Sequence, residues 1–183
     1  QGAGGLGINA TSVAREMGAH QIIVIDGVPE RLELARGCGA DHVIDMNEYQ
    51  EPFERINRVK ELSQGRGADV VVEVVGLPAV INEGLNMART GGTLLELGNI
   101  SPGQMVPMDP AMWTWFSKRI IAVSMYDPWI LPVALDFLQR TRDKYPIHQV
   151  VSHRFPLEQI NEAFEKAEWA GRQTAITRAC IAP

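Results

Sequence analysis

Cysteine is scarce in this chain of 183 residues: only Cys38 and Cys180, far apart and without a C-x-x-C pair. Free buried thiols in a reducing cytoplasm are therefore expected. Histidine is scarce too, and His20, His42, His148 and His153 show no metal-ligand spacing, so each is expected on the surface or in a loop. No apolar run approaches the ~20 residues of a membrane span. An excess of positive charge is also missing. Seventeen basic residues stand against 22 acidic ones, a formal charge of −5, which argues against non-specific nucleic-acid binding. Any bound phosphate must then be held by backbone N–H groups and a few arginines. There is no solenoid-type repeat and no low-complexity segment. The 45% hydrophobic and 21% charged content is that of an ordinary soluble globular protein.

What the chain does have stands at its start. Gly2-Ala3-Gly4-Gly5-Leu6-Gly7 is a G-x-G-x-x-G motif, and Asp26 follows at the end of the apolar run Ile22–Ile25. Glycine loop and acid at this spacing form the fingerprint of a dinucleotide-binding βαβ unit. Gly2 allows a tight turn out of a strand. Gly4 lets the backbone approach a pyrophosphate, and Gly7 lets the next helix pack close to the sheet. The N-terminus of that helix, with Gly5 and Leu6 in its first turn, adds its dipole to the anion site. Asp26 can accept hydrogen bonds from the adenosine ribose and would repel a 2′-phosphate, so NAD is preferred to NADP. The fingerprint needs a strand before its first glycine, and only Gln1 stands there. We therefore expect a C-terminal portion of a longer protein, with the first strand upstream.

Along the chain, strand and helix signals alternate. Leu6, Ala10, Val13, Ala14 and Met17 recur at helical spacing up to Gly18, with Arg15 and Glu16 facing away. A strand is expected over 21–26, a helix from Pro29 to Gly37, a strand over 42–44 and a helix from Phe53 to Leu62. The β-branched run 69–75 reads as a strand covered on both faces. A helix follows from Pro78 to about Arg89, then a strand over 93–97. This rhythm predicts an α/β fold, a doubly wound parallel sheet over residues 1–145. Residues 99–115, with three prolines, read as irregular. A strand is expected over 119–125 and a helix over 131–140. After Pro146 the rhythm breaks, with a strand over 150–154, a helix over 157–167 and a strand over 174–181. The tail 146–183 is assigned to a second domain.

Several phrases together resemble the zinc-type medium-chain alcohol dehydrogenases, a family that includes polyol and threonine dehydrogenases. They are the glycine loop, Asp26 with Arg31 five residues on, and Leu34-Ala35 before Gly39-Ala40-Asp41. Ala68-Asp69-Val70 leading to Glu73 and Gly76, and Gly91-Gly92-Thr93 leading to Gly98, continue the match. Phe155-Pro156-Leu157 before Asn161-Glu162-Ala163-Phe164 completes it. The resemblance covers the whole chain in order. It implies a Rossmann cofactor domain whose C-terminal tail belongs to the catalytic domain. It also implies hydride transfer between an alcohol and NAD, with catalytic and structural zinc ligands upstream of this chain. By the same resemblance, Arg31 lies near the adenosine ribose. Val75, Gly76, Leu97, Gly98 and Asn99 line the cofactor pocket, largely through backbone groups, and Arg178 reaches the pyrophosphate. The alternatives for Arg31 and Arg178 are ordinary surface arginines. No catalytic or metal-binding residue is expected in this chain, which alone should be inactive.

Glu73, inside an apolar strand, is expected to be a structural hydrogen-bonded acid. Trp113, Trp115, Phe116 and Trp129 are expected to pack a subunit interface or a loop core. The run 119–125 is expected at a sheet edge, pairing with its copy in a homo-oligomer. Three alternatives stay open: a zinc-free quinone or enoyl reductase of the same superfamily, a methyltransferase, and a non-catalytic nucleotide-binding module.

Overall fold

The computed structural model describes residues 1–167 and 176–182. The chain divides into two compact units, Gln1–Gly2 with Met46–Leu131, and Ala3–Asp45 with Pro132–Pro183. In chain order the elements are α1 (Gly5–Glu16), β1 (Ile23–Asp26), α2 (Pro29–Gly37), β2 (His42–Asp45), α3 (Pro52–Leu62), β3 (Ala68–Glu73) and α4 (Ala79–Met87). They continue with β4 (Ala88–Glu96), α5 (Pro110–Phe116), β5 (Arg119–Ala122), α6 (Ile130–Thr141), β6 (Val151–Phe155), α7 (Ile160–Ala167) and β7 (Arg178–Ile181). Residues 174–175 of the expected last strand lie outside the described residues.

The unit holding α1 pairs β1 with β2 in parallel, Ile23 opposite His42 through Asp26 opposite Asp45. Ala3, Ile8, Val24, Leu34, Ala35, Cys38, Tyr145 and Val150 form its core. Burying a side chain such as Ile8, which is 0% exposed, stabilises the unit by about 1.5–3 kcal/mol. The expected core face of α1 is inverted. Gly5, Gly7, Ile8, Thr11 and Ser12 are buried, while Leu6, Val13 and Met17 are exposed. Four of the five buried residues are small, and spacing alone does not tell the two faces apart. Pro29 opens α2 at a first-turn position, where its missing N–H costs no bond. In the same unit β6 and β7 form a separate parallel pair.

The other unit contains the parallel sheet β3–β4–β5. Gln1 runs beside β3, its nitrogen donating to the Val72 carbonyl at 2.8 Å and its carbonyl accepting from Val74 N–H at 3.1 Å. Glu51 and Glu54 close a capping box at the start of α3. Arg55, on the same helix, forms a buried fork with Glu83 of α4, with bonds of 2.7 and 2.8 Å.

Three sequence expectations change here. β3 is not covered throughout, since Val70 is 55% exposed whereas Val71 and Glu73 are buried. α4 stops at Met87 and β4 takes in Gly91 and Gly92, with a register shift opposite Ala68 and Val70 absorbing the glycines. The segment read as irregular contains α5, whose Asp109 caps the helix by accepting Ala111 N–H at 2.9 Å. Trp115 and Trp129 are exposed and form no core. Trp113 and Phe116 line a cleft of about 330 Å³ with Leu85 and Lys118.

Candidate functional site

The glycine loop meets α1 as the fingerprint requires. Gly4 is the N-cap, and no side chain caps this helix. The first intrahelical bond runs from Ile8 N–H to the Gly4 carbonyl at 3.0 Å. The N–H groups of Gly5, Leu6 and Gly7 therefore have no helical acceptor, and such an end has the polarity an anion would suit. Arg178 of β7 lies across this end, and a Cβ on Gly5 would collide with its Nε. Glycine at position 5 is thus what allows the guanidinium to reach the first turn.

Asp26 ends β1 and is only 8% exposed. Its Oδ2 accepts the Ala3 N–H at 2.7 Å and its Oδ1 the Val28 N–H at 2.9 Å. The carboxylate therefore ties the glycine loop to the strand end. Each oxygen keeps a second lone pair for another donor. Arg31 follows on α2, its Nη1 3.9 Å from Asp26 Oδ2, and its Nη2 donates to the Ile176 carbonyl. Ala3–Gly7 of the loop, Asp26, Arg31 and Arg178 all belong to one unit.

In the other unit Gly2 adopts φ +93°, a left-handed conformation that side chains rarely adopt, and a Cβ there would press on Val75 Cγ2 at 3.1 Å. The expected strand-end positions lie together in this unit. Their N–H groups, however, point inward. Val75 and Gly76 donate to Glu73 Oε1 at 2.6 and 2.8 Å. Leu97 donates to the Glu73 carbonyl, and Asn99 to Glu96 Oε1 at 2.9 Å. What these turns have left to offer a ligand is mainly carbonyl oxygen and Gly98.

Glu73 has the hydrogen-bonded role expected of it and is 0% exposed. Its partner was not foreseen. Glu96 is directly opposite it in the β3–β4 register, and Asn99 Nδ2 bonds both carboxyls, each at 3.1 Å. Burial pushes the Glu73 carboxyl up to about 7, and the Glu96 carboxyl beside it acts in the same direction. The available signal was Glu96 at two residues from Leu94, on the buried face of its strand.

The four histidines form no site: among the described residues no three His, Cys, Asp or Glu side chains converge as a metal site. Burial pushes the Cys38 thiol up to about 11, and Cys180 is half-buried. No helix of the described residues is long and apolar enough to cross a membrane.

A glycine loop bonded to a strand-end acid, ahead of an uncapped helix end and among parallel strands, defines a doubly wound α/β protein. Residues 5–140 match the family model described as zinc-binding dehydrogenase. The chain belongs to that family. It is similar to 5-exo-hydroxycamphor dehydrogenase of Pseudomonas putida, 33% identical over 165 residues that cover 90% of this chain and 45% of the relative. It is similar also to sorbitol dehydrogenase of Macaca fascicularis, 36% identical over 90% of this chain and 44% of the relative. The solved alcohol dehydrogenase of Thermotoga maritima superposes with a TM-score of 0.87 at 29% identity, covering 100% of this chain and 48% of that one. The chain thus spans about half the length of these relatives.

Proposed function

We propose that this chain is the nicotinamide-nucleotide-binding portion of an alcohol dehydrogenase and takes NAD(H) in preference to NADP(H). The observation that carries the proposal is the bond from Ala3 N–H to Asp26, which holds a carboxylate beside the loop that precedes the bare N-terminus of α1. The residues present suit such a ligand. The first-turn N–H groups and Arg178 would take the pyrophosphate, and Asp26 would accept from the ribose hydroxyls. Arg31 would face the adenosine ribose. For Gly2, Val75, Gly76, Leu97, Gly98 and Asn99 a cofactor role rests on the family resemblance, and their turns leave carbonyls more than N–H groups free for it. When bound, the nicotinamide supplies the acceptor for a hydride from a small alcohol. The chain's own part is to bind and orient it.

The donor set of the described residues does not fit zinc. Zinc ligands in the intact enzyme would be residues other than those described. We assign residues 1–145 to the cofactor domain and 146–183 to the catalytic domain, on the ground that the strand–helix rhythm of the sequence breaks after Pro146. A cytoplasmic setting is favoured by the inert Cys38, and the charge of −5 disfavours nucleic acid as a partner.

Calorimetric titration with NADH and NADPH tests the reading. Tighter binding of NADH is expected. Equal affinities would overturn the NAD preference, and binding of neither would overturn the assignment.

A further inference from the structure

Glu73 and Glu96 occupy directly opposed positions on adjacent strands, on the face that buries Val71 and Leu94. Two like charges placed so repel, and in a buried setting the repulsion is strong. Their hydrogen bonds among the described residues are to backbone N–H groups and the Asn99 amide. The groups facing Glu73 are the N–H groups of Val75 and Gly76, the Asn99 amide and the Glu96 carboxyl. From α4 the acid Glu83 is already held by Arg55, and on the far side of β3 the Gln1 nitrogen bonds the Val72 carbonyl.

The hydrogen-bond inventory has one gap. Glu73 Oε1 accepts two backbone N–H groups, Glu73 Oε2 accepts Asn99 Nδ2, and Glu96 Oε1 accepts both Asn99 donors. Glu96 Oε2 is buried without any partner. An ionised oxygen left so would carry a heavy desolvation cost. A single proton shared by the two acids removes both difficulties, because it cancels one charge and gives the orphaned oxygen a bond. Gly98 makes the arrangement possible, since a Cβ there would collide with Glu73 Oε2 and Gly76 N.

We infer that Glu73, Glu96 and Asn99 form a proton-sharing clasp that holds the turns after β3 and β4 in the conformation that presents them to the cofactor. The inference rests on the nucleotide-binding reading given above. Glu73 and Glu96 are positioning residues, acting through the backbone of Val75–Gly76 and Leu97–Asn99. The clasp is closed while the proton is held. When it is lost, two carboxylates repel across the strands, and the turns lose their common anchor.

Two pH series, each on the full chain, test this. In the first, melting temperature is followed from pH 4.5 to 8. Glu73 holds its proton more tightly folded than unfolded, so stability is highest at the acid end and falls as pH rises toward about 7, then levels. In the second, NADH affinity is followed from pH 6 to 9. Binding that favours the closed clasp makes affinity level below about 7 and lower above it, roughly tenfold for each unit by which the cofactor raises the shared pKa.

Glu96→Gln separates the clasp from other titrating groups. Its amide keeps the acceptor that Asn99 uses and places a permanent N–H at the orphaned oxygen's position. Both pH trends should then flatten. Asn99→Ala, which removes the bridge and keeps both acids, should weaken NADH binding at every pH by roughly threefold to tenfold. A Glu96→Gln protein that follows the wild-type profiles overturns the inference. So does a wild-type melting series with no fall below pH 7. A normal melting series with pH-independent NADH affinity overturns the positioning role and leaves the cofactor reading intact. A normal melting series with no NADH binding at any pH removes the cofactor reading and the positioning role together.

Discussion

Replacing Asp26 should cost the protein twice, once in stability and once in cofactor affinity, and the two losses can be measured apart. The carboxylate accepts Ala3 N–H at 2.7 Å and Val28 N–H at 2.9 Å in a position only 8% exposed. Hydrogen bonds to a charged group contribute about 1.5–3 kcal/mol each, and stranded N–H groups here would find little water. Asp26→Ala, which removes both, should therefore lower unfolding free energy by about 3–6 kcal/mol. Asp26→Asn keeps one acceptor and turns a donor toward the other N–H, so about half that loss is expected. Losing a ribose hydrogen bond of the same strength weakens NADH about 10- to 100-fold, at 1.4 kcal/mol per tenfold. NADPH gains little in return. Removing the repulsion helps its 2′-phosphate, but the loop that should cradle the pyrophosphate has lost its anchor. Urea denaturation gives the first quantity and calorimetric titration with both cofactors the second. Midpoints should fall in the order wild type, Asp26→Asn, Asp26→Ala, with NADH and NADPH affinities converging at a weak value. An Asp26→Ala protein as stable as wild type would refute the anchoring role. Unchanged NADH affinity would remove the carboxylate from the ribose site.

The Arg55–Glu83 fork is buried at 6% and 5% side-chain exposure, and Arg55 Nη1 also donates to the Tyr49 and Gln50 carbonyls. Arg55→Ala leaves an unpaired buried carboxylate and should destabilise by about 3–5 kcal/mol, whereas Arg55→Met with Glu83→Leu should recover most of it; equal urea midpoints for wild type and Arg55→Ala would refute this. In the edge strand β5 residues 119–122 are all exposed. Val123 N–H is committed to the Glu96 carbonyl at 3.0 Å, so strand alternation directs the outward donors to Ile120 and Ala122. If copies of the chain pair along this edge, Ala122→Pro and Ile120→Lys should both shift sedimentation toward monomer; a wild-type monomer at micromolar concentration ends the proposal.

The parts of the fold that were legible are those where one local rule was enough. Pro29 at a helix start, the alternation of strand and helix, and Asp26 at a strand end each need only neighbours in sequence. α5 was missed because Pro107 and Pro110 were read as breakers. Pro110 is in fact the first helical residue behind its cap Asp109, the one place where proline suits a helix. β4 begins earlier than the expected strand over 93–97 and takes in Gly91 and Gly92. They lie inside the strand, where a register shift absorbs them. The face of α1 was inverted because hydrophobicity was followed. The buried face carries Gly5, Gly7, Thr11 and Ser12 beside Ile8, and small residues such as these give hydrophobic spacing little to register.

The site was legible in the same unequal way. Asp26 acts on a loop at fixed sequence distance within one βαβ unit, so its position was readable. Glu73 acts on Glu96, and their opposition depends on which strands pair and in what register. A one-residue slip of β4 would turn Glu96 to the other face and leave Glu73 facing an apolar neighbour. Each acid alone looks like an error in a buried strand. Opposed across one register and bridged by Asn99, they form a single group with one charge and one shared proton. The clasp is therefore a property of the pairing, and the Glu96→Gln pH series reads that pairing as directly as it reads the proton.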